Sequence, residues 1–421
     1  MKRIVSLLLT AVLLTAMLSV FVLPASAEGE VSKSENAKWF EDRGSEHVWW
    51  ELTDNGTVLP DGKTGQTLTI GGKGEMPGFH AVIAALDNRP WKGYIETITT
   101  VVIDSGVTNI GNFVFNGCTN LTSVTIPYGV TNIGTNAFMC CTSLQSVTIP
   151  YGVKFIFNSA FMSCKSLQSV TIPASVESIG QSAFHGCTNL QSVTIPYGVT
   201  SIGMSAFRSC ESLQSVTIPS SVTRIDGNAF NGCNQLASVT VKASTPPTLG
   251  KAVFNDTLPN LAIYVPCGAG TAYQQASGWS DKSGQIKEAY IVDDQPVGKG
   301  KIMFDKDCFP TSNFAEEQTV TVSVVPAEGY RLKADSLTVF YKDGEEEKTV
   351  ELTQDETDPT KYSFEMPKAN VTLKAAFEAI PDGTGSTLSG GNLWIILGVV
   401  AAVLVGAVVA AVVVVKKKVN E

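Results

Sequence analysis

Histidine is nearly missing from this 421-residue chain. His47, His80 and His185 stand far apart, and with so few goes the commonest general acid–base chemistry. There is no H-E-x-x-H helix, no C-x-x-C pair and no G-x-S-x-G elbow, so no motif for zinc, thiol-redox or acyl-transfer chemistry is present. Charge is thin as well. Charged residues make up 16% of the chain, the net charge is −9, and basic residues cluster only at Lys416, Lys417 and Lys418. A nucleic-acid partner needs a basic stripe to neutralise phosphates, which excludes that class. Residues 305–316 place Asp305, Asp307 and Glu316 at the first, third and twelfth positions of a calcium loop. Phe309 and Pro310 then occupy the places that need an oxygen ligand and a glycine. No cofactor, no metal and no catalytic residue is expected.

Two apolar segments flank the body. Residues 1–27 have Lys2 and Arg3, an apolar run from Ile4 to Leu23, and Ala25 and Ala27 at small-residue cleavage positions, the order of a signal peptide. Residues 393–415 carry no charge and are long enough to cross a bilayer core of ~30 Å. The lysine triplet follows, and basic residues stay in the cytoplasm, so the body is expected outside the cell as a single-pass membrane protein. Gly398, Ala402, Gly406 and Ala410 put small side chains on one helix face, a pattern suited to weak self-association.

Between these segments one unit recurs. "SVTIPYGV" stands at 123–130, 146–153 and 192–199, with "SVTIPASV" at 169–176 and "SVTIPSSV" at 215–222. Cys118, Cys141, Cys164, Cys187, Cys210 and Cys233 keep a 23-residue step, as do the phenylalanines from Phe115 to Phe230. A fixed period with apolar residues at fixed offsets is the mark of a solenoid, whose units bury a core only by stacking. Within each unit Val and Ile alternate with Ser and Thr as on a strand, and a proline stops it. The residues after the turn, near Gly134 and "NAF", are read as a short helical or irregular side. The expected fold is mainly β: a leucine-rich-repeat solenoid of 23-residue coils, a small β domain, then one transmembrane helix. The periodic cysteines are read as a ladder of small buried fillers, although strand spacing also admits disulfides.

The run from Thr97 to Trp279 resembles the BspA-like leucine-rich repeats of bacterial surface proteins, whose unit reads approximately "IGxxAFxxCxxLxSVTIPxxV". "VWWELTDNGT" and "LTIGGKGEMP" resemble the family's N-terminal cap, and "IYVPCGAGTAYQQASGWS" its closing strand and helix. Phe157 and Asp226 depart from the pattern by replacing the Gly of "IG". Farther on, "VTVSVVPAEGYRL" and "YSFEMPKANVTLKAAFE" resemble the divergent B-repeat of internalin-type surface proteins, a spacer module. The domains are therefore expected at 1–27 (signal peptide), 28–96 (N-terminal cap region), 97–290 (solenoid with its C-terminal cap), 298–379 (β domain), 380–392 (linker), 393–415 (membrane helix) and 416–421 (cytoplasmic tail).

The candidate site is surface. Thr125, Thr148, Thr171, Thr194 and Thr217 form a hydroxyl stripe that either docks an extended polar ligand or simply suits a solvated strand face. Tyr128, Tyr151 and Tyr197 follow strand-ending prolines where Ala174 and Ser220 suffice in sister coils. They are either contact residues or rings lying over their own coils. The resemblance implies adhesion to extracellular proteins or glycans of a host or neighbouring cell. A ligand-free structural envelope protein and an accessory subunit of a surface enzyme are the alternative classes.

Overall fold

The computed structural model describes residues 36–40, 45–80, 87–297, 300–304, 319–326, 330–343, 346–367 and 369–380. The signal-peptide, membrane-helix and lysine-triplet expectations, the Gly398–Ala410 face, the 305–316 loop and Cys308 lie outside them. Among the described residues no helix is long and apolar enough to cross a membrane. The described residues up to Glu378 form one compact unit.

Each repeat contributes a Ser-Val-Thr strand with Val inside and its neighbours outside, as the period of two requires. The strands pair parallel and unshifted: Val147 with Val170, Val170 with Val193, Val193 with Val216 and Val216 with Val239. This sheet has seven strands and runs from Ser146–Thr148 to Ile286–Ala289. The strand Ser123–Thr125 belongs instead to a five-stranded sheet shared with the cap strands Ser45–Val58, Thr64–Gly72 and Ile98–Ile103.

A second parallel sheet holds six two-residue strands, among them Asn132–Ile133, Phe155–Ile156 and Ser178–Ile179. The side after it is irregular, not helical. A third rail of backbone bonds closes it, with Phe138 N donating to Ala160 O, Phe161 N to Ala183 O and Phe184 N to Ala206 O, each at 2.8 Å. The tight turns that allow this put two residues per coil in the left-handed region. Asn136 (φ 56°) and Ser159 (φ 55°) occupy the first such place, Cys140 (φ 61°) and Ser163 (φ 61°) the second. Gly186 and Gly232 hold that second place in other coils at no steric cost. This accounts for the off-period Cys140: it fills a turn, not the ladder.

The core between these sides is a stack of rings. Phe115 through Phe254 lie face to face at 5.1 to 5.8 Å between centroids. Beside it runs the cysteine ladder, buried, with every described cysteine a free thiol. The thiols are more than fillers. Cys141, Cys164, Cys187 and Cys233 donate to the carbonyls of Phe115, Phe138, Phe161 and Phe207 at 3.2 Å, and Cys210 to Phe184 at 3.3 Å. Each bond ties one coil to the coil before it, which explains a thiol where an alkyl group would fit. Burial pushes Cys187 and Cys233 up to about 12, and Cys141 and Cys210 well above the usual thiol range.

Both ends of the stack are sealed, as an open core and sheet edge demand. At the N-terminal end Trp91 packs edge-on against Phe40, Trp50 and Phe79. Beside it a buried Arg89 pairs with Asp87 at 2.6 Å and donates to the carbonyls of Phe113, Val114 and Asn116. Burial works to raise the Asp87 carboxyl, but the Arg89 hydrogen bonds and charge hold it below its usual value. At the far end Tyr273, on the helix Gly270–Gln275, donates to Ala243 O, and Trp279 Nε1 to Pro247 O, both at 2.7 Å.

The following β domain begins at the strand Val292–Val297, ahead of the expected start at Gly298. That strand pairs parallel with Val371–Ala379, which pairs antiparallel with Thr338–Asp343. A second sheet of Gly300–Phe304, Thr319–Pro326, Lys361–Glu365 and Thr353–Gln354 joins it around Val320, Val322, Phe364 and Leu373.

Candidate functional site

Thr125, Thr148, Thr171 and Thr194 are exposed on the outer strand face, and Thr217 is half-buried. From Thr148 onward they stand in direct register, one coil apart. Thr125 sits across the division between the two sheets. Serines flank them on the same face, so the stripe is uncharged along its length.

The tyrosines differ from one another. Tyr128 is 66% exposed, whereas Tyr151 and Tyr197 are half-buried. For Tyr151 the reason is the β domain. Burial, and then the neighbouring Tyr330 of that domain, push the Tyr151 phenol up. At the same offset one coil beyond Tyr197, Ser220 donates to Asp293 Oδ2 at 2.5 Å. Lys242 pairs with Asp294. Asn370 completes the seat, accepting from Cys267 N (3.2 Å) and Ile291 N (3.1 Å) while donating to Cys267 O (3.0 Å). The strand-exit edge on which the tyrosines lie is thus also the edge against which the β domain rests. Sequence reading missed Asp293, Asp294 and Asn370, since none falls in the period.

The alternation of "PYGV" with "PASV" and "PSSV" has a local cause. Gly152 and Gly198 take φ 130° and 126°, and their N–H groups donate to the hydroxyls of Ser175 and Ser221 in the next coil at 3.1 and 3.2 Å. Those hydroxyls donate in turn to Val153 O and Val199 O at 2.9 Å. At these two junctions glycine and serine are a matched pair across coils, while the tyrosine ring is not part of the latch.

Nucleophilic chemistry finds no footing in the ladder. Burial keeps Cys187 protonated, outweighing the Cys164 backbone hydrogen bond, and the thiolate is the reactive form. His185 is half-buried, and burial together with Arg208 lowers its pKa. Among the described residues no group of three or more His, Cys, Asp or Glu side chains is placed to hold a metal ion.

Stacked parallel coils, a core ladder, two sealed ends and an appended β domain define a repeat-solenoid protein with an open outer face. Residues 93–173 and 155–276 match the BspA type leucine rich repeat region, in six copies, and residues 292–381 match the divergent InlB B-repeat domain. The chain carries BspA-type leucine-rich repeats followed by a B-repeat domain. Among solved structures it is similar to a leucine rich cell surface protein of Faecalibacterium prausnitzii (24% identity over 63% of this chain and 84% of that one, TM-score 0.31). It is also similar to the leucine rich repeat protein of T. pallidum (27%, 49% and 86%, TM-score 0.29) and to one from Eubacterium ventriosum (23%, 53% and 76%, TM-score 0.26). No curated protein matches the chain.

Proposed function

We propose that the chain is a non-catalytic adhesion protein of the bacterial cell surface. Residues 1–27 export it, residues 393–415 anchor it with Lys416, Lys417 and Lys418 inside, and the linker 380–392 sets the body off the membrane. Its partners are extracellular proteins or glycans of host or neighbouring cells, and the span self-associates weakly through Gly398, Ala402, Gly406 and Ala410. One observation carries this reading: an exposed, uncharged face on which Thr148, Thr171 and Thr194 repeat in register, with Tyr128 projecting beyond it. Hydroxyls spaced by about 4.8 Å suit an extended ligand laid across the coils, and a projecting tyrosine offers rigid contact area with a polar tip. The cell-surface description of the F. prausnitzii protein is in keeping with such a place.

Cells displaying the full chain test it. They should bind saturably to at least one of mucin-, collagen- or fibronectin-coated surfaces, and protease added outside should strip the body while sparing the lysine tail. Thr148→Lys, Thr171→Lys and Thr194→Lys together with Tyr128→Ser should abolish that binding. Binding equal to that of cells lacking the protein, or unchanged by these substitutions, defeats the proposal.

A further inference from the structure

One coil breaks the outward pattern of the second sheet. At the places where sister coils carry Asn132, Ser178, Ser201 or Arg224, it carries Phe155; where they carry Gly134, Gly180 or Gly203, it carries Phe157. The glycines answer to packing. A side-chain carbon built at Gly134 would come to 2.7 Å from Gly111, one at Gly180 to 2.8 Å from Phe157, and one at Gly203 to 2.7 Å from Gly180, each against backbone. A side chain at this offset is the exception, shared only with Asp226, and Phe157 does not serve the core: it is 44% exposed. Its ring stands 6.0 Å from that of Phe155, which flanks the same inward Ile156. Local rules are broken in this way at functional positions more than elsewhere.

Phe157 also forms the rim of a groove of about 350 Å3, where the cap segment 75–78 meets the first coils. Asn109, Asn112 and Asn132 line it, together with Glu75 of the cap segment. The amides are oriented. Asn109 Oδ1 accepts from Met76 N at 2.6 Å and Asn112 Oδ1 from Thr135 N at 2.8 Å, which turns their Nδ2 groups into the donors left for a ligand. Asn132 Nδ2 donates to Thr131 Oγ1 at 3.1 Å, which leaves its Oδ1 as an acceptor. The result is neutral donors, a neutral acceptor and a carboxylate beside the exposed ring of Phe157, itself backed by the half-buried Phe155.

We infer that this groove is a carbohydrate-binding site for a neutral oligosaccharide, a second contact site that rests on the surface-binding function proposed above and is separate from its threonine face. A pyranose ring has an apolar C–H face, which an aromatic ring covers, and a rim of hydroxyls that both donate and accept. Planar amides at fixed angles meet that rim. A volume near the lower end of the ~300–1,000 Å3 range of small-molecule sites admits a short stretch of sugar chain rather than a folded domain. Neutral amides lining the groove give a polyanion no counter-charge, and the polar lining is a poor seat for an apolar peptide face.

Calorimetry on the full chain in detergent micelles, with β-1,4-linked hexamers of glucose, xylose, mannose and N-acetylglucosamine as probes, decides the matter. At least one hexamer should bind saturably. Phe155→Ser with Phe157→Gly, residues that sister coils already carry, should weaken it by about tenfold or more with unchanged melting. Asn112→Asp keeps the bond from Thr135 but replaces the donor with an acceptor, and should weaken binding several-fold. Tyr128→Ser should leave it unaltered. No binding by any hexamer, equal affinity in the double phenylalanine variant, or a change in its sedimentation showing that the rings are covered by a second copy, each overturns the groove. Hexamer binding that survives the groove substitutions leaves surface binding standing and moves the site; failure of hexamers together with failure of the cell-adherence test removes both.

Discussion

The two sheets of the solenoid are built by opposite rules. On the long sheet the five strands from Ser146 to Thr240 present the same Ser, Val and Thr, whereas on the short one the outward residue is Asn132, Phe155, Ser178, Ser201, Arg224 or Thr248 in turn. The inward Ile of the short sheet does not change until Leu249. Repetition therefore marks what stacking needs, and variation marks what stacking leaves free. At the repeated threonines architecture has a claim beside that of a ligand. The aromatic pair at 155 and 157 lies where the claim has lapsed.

Five measurements would break or sharpen this contrast. The largest effect is alkaline. The ladder thiols stay protonated in the folded chain and ionise in the unfolded one above about pH 8.5, so the folded state holds more protons and stability falls as pH rises toward about 12. Each buried thiol contributes a loss of about 1.4 kcal/mol per pH unit in that window. Thermal melts from pH 7 to 11 should show a steep fall that flattens when ladder cysteines are replaced by alanine; a flat profile in the parent would show that the thiols are not buried in the folded chain.

Next comes the ring stack. Phe184→Ala removes a ring packed on both faces, at 5.3 Å from Phe161 and from Phe207, and should cost about 3–5 kcal/mol in urea unfolding. Within the ladder, Cys187→Ala removes one of two donors on the Phe161 carbonyl, leaving Cys164 N at 3.3 Å, and opens a small void; it should cost about 1–2 kcal/mol. Cys187→Ser keeps a donor and should cost less; the reverse order would make the thiol a filler only. Smaller and of opposite sign, Cys140→Gly relieves a left-handed residue at a place where Gly186 and Gly232 already serve, and should stabilise by about 1 kcal/mol. Smallest of all, Phe155→Ser with Phe157→Gly should shift stability by no more than about 0.5 kcal/mol. A large loss there would return the pair to the architecture and end the contrast between the sheets.

Much of this was legible in the sequence, and some was not. The strand valines, the stopping prolines, the Phe and Cys ladders and the closing segment through Trp279 all stand where their spacing puts them. The side expected as helical or irregular proved irregular, because Phe-to-Ala backbone bonds between coils hold it in place of bonds within a helix. The hydrogen bond made by each thiol could not be read, since a buried cysteine and a donating one look alike in a string. Of the candidate tyrosines, Tyr151 and Tyr197 turned out half-buried on the edge that seats the β domain, which leaves Tyr128 as the one that projects.

The sequence alone determined the period, the inward set and the parallel register, because a 23-residue step with fixed apolar offsets admits only one way for coils to stack without exposing the core. Tertiary structure decided the rest. Arg89 reaches the carbonyls of Phe113, Val114 and Asn116, Asn370 grips the backbone at Cys267, and Asn109, Asn112 and Asn132 converge beside Phe157. Each of these depends on a single meeting of residues from different coils or domains, and a contact made once leaves no period for a sequence to display.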